Sequence, residues 1–263
     1  MDIKSELILN QFRAAPYAYD VLRNEFRTRP DVLSLMGEWF ADKDVYSLGR
    51  DLCLPVAACT AVNWLRGEKM IGDESGAFRV GDFFGTMLPF HTVGPTGLPA
   101  PYDQGWRVFD AAGNVYHHAV IAFMKIFGIH AYSVRNFPSA QWAFRQFPDA
   151  LIVFAVSLSN SFVSAEYPGH TFEDGGRHVV DIMAVEDGRF TIAESYQEIQ
   201  EGQRPYLINK DIGAVDGYLV YKDGRPSQGI IFSLDNLIIP QEYQKDIYIP
   251  ETVSGALGAM GKV

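Results

Sequence analysis

One cysteine in this sequence has the placement that thiol catalysis needs. Cys53 stands at the entrance to an apolar run that begins with Pro55 and has the composition of a buried helix; proline is favoured in a first helical turn. A helix N-terminus stabilises a thiolate, because its N–H groups have no backbone partner and its dipole is positive there. A thiolate nucleophile also needs an imidazole as its base and a third group that orients the ring.

His178 and Glu194 are the candidates for the base and the orienting group. His178 begins the predicted strand RHVVDIMAV, and Glu194 ends the predicted strand RFTIAES beyond an Asp187–Gly188 turn. A two-residue turn there places Gln197 opposite His178. Glu194 is therefore predicted to be a diagonal neighbour of His178, and direct facing would need a bulge or a longer turn.

The second cysteine and the paired histidines have structural interpretations. Cys59 lies deeper in the apolar run and is predicted to be a core residue, about 9 Å from Cys53 along a helix, which is too far for a disulfide. His117 and His118 are adjacent, so they point to different faces of a helix and lack a third ligand at useful spacing. We expect no metal and no cofactor.

Composition limits the classes to which the protein can belong. The 263 residues include 22 Lys and Arg against 32 Asp and Glu, a formal charge of −10, and 48% of them are hydrophobic. These proportions are globular and exclude a disordered or collagen-like chain. The acidic balance argues against nucleic-acid binding, and no apolar stretch is long enough to span a membrane. We expect peptides or small molecules as partners, and nothing here indicates an oligomeric state.

The order of predicted elements favours an α+β fold. Helices are predicted within residues 5–45, from Pro55 onward and at about 115–127, and most β-branched and aromatic runs follow residue 150. Helices first and an antiparallel sheet second are typical of the α+β class. AVEDGRFTIA is the clearest hairpin, and residues 85–105, dense in Gly and Pro, predict an irregular functional loop.

Four further elements and a frayed end are predicted around this framework. IHAYSV is expected to be a strand, and SAQWAFRQF a helix with Ser139 as its N-cap. GYLVYKDG and QGIIFSLDNLIIP are expected to be strands of the antiparallel sheet. The final SGALGAMGKV is rich in small residues and is predicted to be frayed.

Two blocks of sequence carry a family resemblance. CLPVA at residues 53–57 is similar to a Cys-Gly-Pro-Ala/Ser motif that opens a central helix, and GGRHVVDIMAVEDGRFTIAES resembles a signature in which Gly-His enters a strand and Asp or Asn follows on the next. Both belong to papain-like cysteine peptidases of the bacteriocin leader-processing type, and the resemblance covers roughly residues 45–240. It implies a papain-like domain at 46–245, with a helical extension at 1–45 and a tail at 246–263.

The resemblance implies a function for each candidate. A papain-like cysteine hydrolase would use Cys53 to attack an amide or thioester carbonyl of a peptide, His178 to move the proton and Glu194 to orient His178. The family has Gly where this chain has Leu54, and an oxyanion-binding Gln where it has Ser47. Losing such a donor costs roughly 100- to 1000-fold in rate. Ser47, Arg50 and Asn63 are substitutes by residue type, and the backbone N–H of Cys53 is a further donor.

The sequence leaves two alternative functions open and also predicts the location of the protein in the cell. An acyl- or aminoacyl-transferase would use the same thiol, with an amine in place of water. A catalytically degenerate papain-like module that binds a peptide is the other alternative, and Leu54 and Ser47 favour it. Unpaired cysteines and a start without a basic segment followed by an apolar run favour the cytoplasm.

Overall fold

A computed structural model describes residues 4–30, 39–91, 106–110, 112–147, 149–157, 177–186, 189–195, 206–211 and 228–250. The α-helices of these ranges are α1 (Gln11–Thr28), α2 (Val45–Asp51), α3 (Cys53–Arg66), α4 (Asp82–Met87), α5 (His117–Ile126) and α6 (Phe137–Gln146). The strands are β1 (His130–Val134), β2 (Leu151–Ser157), β3 (Arg177–Glu186), β4 (Arg189–Glu194), β5 (Tyr206–Asp211), β6 (Gly229–Ser233) and β7 (Ile247–Tyr248). Short 3₁₀ helices span Ser5–Leu7, Leu88–Phe90 and Gln241–Tyr243.

The seven strands form one antiparallel sheet in the order β5-β4-β3-β2-β6-β1-β7. Helices dominate the first half of the chain and strands the second, so the predicted α+β class is confirmed. Glu186 pairs with Arg189, which confirms the predicted hairpin with two residues between its strands.

Side-chain alternation along the strands gives the sheet two buried faces. On β2, Leu151 and Val153 share a core with α3 and α5, whereas Ile152 and Phe154 share a second core with α6. One face is therefore covered by α3 and α5 and the other by α6, because successive strand residues point to opposite sides.

The segment before α3 is joined to the same core as α3. Leu9 is fully buried, and its N–H donates to Thr60 Oγ1 at 3.1 Å. The amide of Asn63 bonds to the Leu7 carbonyl at 3.3 Å and to the carbonyl and N–H of Ile71, both at 2.8 Å. The described part of the predicted extension at residues 1–45 thus contributes to the core that surrounds α3.

Two predicted boundaries differ from the structure. The N-cap of α6 is Asn136 and not Ser139, because Asn136 has extended backbone (φ −156°, ψ 158°) and its side chain accepts the Ser139 N–H at 3.0 Å. The predicted C-terminal tail begins inside the sheet, since Ile247 of β7 pairs with Val134 of β1.

Other predicted segments are partly described. The predicted irregular loop begins with helix, because Gly85 lies in α4 and Leu88–Phe90 is a 3₁₀ turn. Residues 92–105 lie outside the described part, as do GYLVYKDG and the terminal SGALGAMGKV. The strand predicted over QGIIFSLDNLIIP ends at Ser233.

Within the described ranges, no single helix is long and apolar enough to cross a bilayer. The pair α2 and α3 meets the length and composition requirement only when both are counted together, and the two are bent by 66°.

Candidate active site around Cys53

Cys53 is the first residue of α3 and is half-buried. The residue before it, Leu52, is the N-cap and supplies no side-chain hydrogen bond to the first turn. The residues after it, Leu54 to Asn63, are buried. Cys53 therefore lies where a core helix begins, separated from the end of α2 by one residue, and no capping side chain occupies the first-turn N–H groups.

Cys59 has the opposite environment. It is fully buried in the core, and burial raises the pKa of its thiol far above the usual range, with the carboxylates of Asp82 and Asp181 adding to the effect. Both cysteines are free. The prediction that Cys59 is a core residue is confirmed, and Cys53 is the thiol that reagents can reach.

The direction of α3 brings Cys53 toward the start of β3. Arg66, at the end of α3, donates to the carbonyl of Phe127 at the end of α5, and α3 packs beside α5. α5 turns directly into β1, which runs opposite to β3 across the antiparallel sheet. α3 and α5 therefore run in the same direction as β3, so Cys53 and His178 belong to the same end of the molecule.

Trp39 joins the N-terminal ends of the same two helices. Its indole N–H donates to Asp51, two residues before Cys53, at 3.1 Å. Its ring lies against Gly113, four residues before α5, where a Cβ would come within 2.1 Å of the indole. Gly113 also has φ +82°, a conformation that favours glycine. The starts of α3 and α5 are thus neighbours at one end of the sheet.

The side-chain faces of β3 separate His178 from α3. Val179 and Met183 pack in the core of α3, whereas Val180 and Ile182 pack in the core of α6. His178 is buried, pairs with Val156 and alternates with Val180, so it lies on the α6 face. The structure brings Cys53 and His178 to one end of the sheet but to opposite faces.

The backbone of Glu194 is close to the predicted position. The pairing register of β3 with β4 shifts between Ile182 and Ala184, and beyond that bulge Asp181 pairs with Ala193. Glu194 follows Ala193, so its backbone lies beside Val180, two residues from His178. This is the diagonal position expected from the hairpin, with the register moved by one residue.

Two of the substitutes for the oxyanion-binding Gln are occupied elsewhere. Ser47 forms a capping box with Asp44, in which the Asp44 side chain accepts the Ser47 N–H at 2.7 Å and the Asp44 N–H donates to Ser47 Oγ at 2.9 Å. The Ser47 hydroxyl also holds the pKa of the Asp44 carboxyl below its usual value. Asn63 is fully buried in the hydrogen bonds that join Leu7 and Ile71 to α3. Neither side chain is available to a substrate oxygen.

His117 and His118, which the sequence did not place at this end, lie at the start of α5. The His117 Nδ1 is 3.4 Å from the Ser133 hydroxyl, and burial, with His118 beside it, lowers the pKa of His117 to about 4. The His118 ring packs against Trp106 and Tyr116, with centroids 5.1 Å away in each case. In the sequence, the adjacent aromatic rings of VYHH are the feature that indicates such packing. Within the described ranges, no three His, Cys, Asp or Glu side chains are grouped to hold a metal.

Stability is expected to fall as the pH drops from about 6.5 to about 4, through His117. Above about 6.5 the ring is neutral in the folded and unfolded states; below it, only the unfolded chain takes up the proton, because the folded pKa is about 4. The loss reaches about 3 kcal/mol. His117→Gln should flatten this part of the profile, measured by urea unfolding between pH 4 and 7, whereas His130→Gln, at an exposed site, should not. Parallel profiles for wild type and His117→Gln would contradict the assignment.

Comparison with known proteins adds no relative. No family model matches the chain, and no curated protein matches it. The resemblance to papain-like peptidases therefore depends on the sequence motifs alone.

Proposed function

We propose that this chain is a papain-like cysteine hydrolase of the peptidase type, with Cys53 as its nucleophile. The main support is the contrast between its two thiols. Cys53 is half-buried at a helix start without a capping side chain, and Cys59 is fully buried. A helix start supplies N–H groups and a positive dipole end, which favour a thiolate and a developing oxyanion. The antiparallel sheet beneath α3 gives the α+β class that the motif implies.

The proposed reaction has two steps. The Cys53 thiolate adds to the carbonyl carbon of a peptide amide or thioester, and the backbone N–H of Cys53 donates to the oxyanion. The leaving amine or thiol departs with a proton from the imidazolium, which leaves an acyl-enzyme that water hydrolyses to a carboxylic acid and the free thiol. The motif makes His178 the proposed base and Glu194 its orienting group, and because β3 places His178 on the α6 face, His178→Ala decides whether it or another group takes the proton. An acyl- or aminoacyl-transferase would differ only in using an amine in the second step.

A second candidate function is a non-catalytic module that binds a peptide. The alternation of β3 favours it, because His178 lies on the face of Val180 and not on the face that α3 covers. The commitment of Ser47 and Asn63 to structural hydrogen bonds favours it as well. In this case the half-buried Cys53 would only line a surface.

Alkylation by iodoacetamide separates the two candidates. If Cys53 is a nucleophile, we expect it to be labelled much faster than an ordinary cysteine thiol, while Cys59 stays unlabelled until the protein unfolds. The site and rate are read by mass spectrometry across pH 5–9, with Cys59→Ala as a single-thiol reference. Labelling no faster than that of an ordinary cysteine thiol would contradict the hydrolase and support the binding module.

A further inference from the structure

A preformed groove of about 600 Å³ lies between α1 and the loop formed by residues 72–80. The loop is closed by two backbone hydrogen bonds, from the Gly72 N–H to the Phe78 carbonyl at 2.9 Å and from the Val80 N–H to the Gly72 carbonyl at 3.0 Å. None of the residues that line the groove belongs to α3. The groove is therefore lined by α1 and this loop and not by the helix that carries Cys53.

Arg79 is the best-fixed charge in the groove. Its guanidinium carbon lies 3.2 Å from the centroid of the Tyr17 ring. Asp82 holds both partners, since its carboxylate accepts the Tyr17 hydroxyl at 2.6 Å and the backbone N–H of Arg79 at 2.7 Å. The hydrogen bond from the Tyr17 hydroxyl to Asp82 raises the pKa of Tyr17. When a guanidinium stacks on a ring, the N–H groups at its edge point away from the ring and can donate two parallel hydrogen bonds to a carboxylate.

No described carboxylate lies within ion-pair distance of the Arg79 guanidinium. The other arginine of the groove, Arg13, is 3.8 Å from Glu74, and both of these side chains are largely exposed. Such a pair contributes little and can be replaced by a ligand. The half-buried Arg79 is thus fixed in place without an ion pair to any described carboxylate.

The remaining groups of the groove limit the kind of anion. Asp20 and Glu74 place two carboxylates beside the two arginines, so the lining has no net charge. These carboxylates repel a phosphate dianion more strongly than a singly charged carboxylate, which needs only one guanidinium. Phe12 and Pro16 add apolar surface to the lining. A carboxylate joined to an apolar body is the chemistry that fits.

We propose that this groove binds a carboxylate of a peptide, with Arg79 as the two-point donor and Phe12 and Pro16 in contact with the neighbouring apolar side chain. The carboxylate comes from a peptide C-terminus or from an acidic side chain, since both present the same group. The proposal does not depend on chemistry at Cys53, and Cys53→Ala leaves the groove intact.

Three small peptides test the proposal by isothermal titration on the full chain. N-acetyl-Leu-Phe as the free acid should bind at least ten times more tightly than its C-terminal amide. N-acetyl-Glu-Phe amide then identifies the source: binding comparable to that of the acid assigns the site to side-chain carboxylates as well, and no binding assigns it to the C-terminus. Arg79→Gln should remove the tenfold preference, while Arg145→Gln, an exposed arginine of α6, should retain it.

Several results would overturn the carboxylate site. Equal binding of acid and amide to wild type would do so, as would an unchanged preference in Arg79→Gln. Displacement of the acid by inorganic phosphate at comparable concentration would show a site for dianions. If Arg79→Gln does not fold by circular dichroism, Arg79→Lys keeps the charge but loses the planar donor pair, and it should weaken the preference several-fold; full retention would contradict the proposal.

Discussion

Cys53→Ala is expected to lower hydrolysis of activated peptide amides or thioesters by at least about 1000-fold while leaving the melting temperature nearly unchanged. The activity should disappear because the nucleophile is removed. The stability should remain because the half-buried Cys53 lies in the first turn of α3, outside the fully buried part of the helix. A panel of fluorogenic peptide amides and peptide thioesters, followed with thermal unfolding of the same preparations, measures both quantities.

Cys59→Ala is the matched control for this variant. Cys59 is fully buried, so its loss should cost about 1 to 2 kcal/mol of stability and leave the activity of the folded fraction unchanged. The reverse pattern, with Cys53→Ala destabilised and still active, would show that Cys53 serves packing alone.

His178→Ala is the decisive companion to Cys53→Ala, because β3 places His178 on the α6 face. A loss as large as that of Cys53→Ala would assign the base to His178. Retained activity in His178→Ala, together with loss in Cys53→Ala, would show that another group accepts the proton. Activity of wild type no higher than that of Cys53→Ala would support the binding module.

Asn63→Ala is expected to lower the free energy of unfolding by about 3 to 5 kcal/mol. The amide of fully buried Asn63 bonds to the Leu7 carbonyl and to both backbone groups of Ile71. Alanine would leave these three buried backbone groups without the hydrogen bonds that the amide supplies. A buried polar group without a partner costs about 1 to 3 kcal/mol. Chemical denaturation with an unchanged m-value measures the effect.

Asn114→Ala is the control for Asn63→Ala. Asn114 is exposed, and among the described residues its side chain bonds to the carboxylate of Asp110 alone, at 2.9 and 3.2 Å. Its loss should cost no more than about 1 kcal/mol. Similar losses for the two variants would mean that the hydrogen bonds of Asn63 do not join the N-terminal segment to α3.

Much of the fold could be predicted from local patterns. The apolar run after Cys53, the helix near residues 115–127 and the hairpin at Asp187–Gly188 all depend on residues close in sequence, and their elements are α3, α5 and the β3–β4 pair. The N-cap of α6 was predicted wrongly. Proline is favoured in the first turn of a helix, so Pro138 favours a helix that begins before Ser139, and Asn136 supplies the cap.

The neighbours of each element could not be predicted in the same way. β5 was not predicted, and its place at the sheet edge is visible only from its pairing with β4. The role of Asn63 was also missed, because its partners Leu7 and Ile71 come from separate segments that meet only in the folded chain. Hydrogen bonds between distant segments produce no periodic pattern in the sequence from which they could be predicted.

The amino-acid sequence alone determined which groups could do chemistry here and which local elements carry them: a thiol at a helix start, a histidine at a strand start and a carboxylate at the end of the next strand. Only the tertiary structure decided which of these share a face. A strand residue points to one side or the other according to the pairing of the whole sheet and the helix that covers it, so the side taken by His178 follows from α3 and α6 packing on opposite faces.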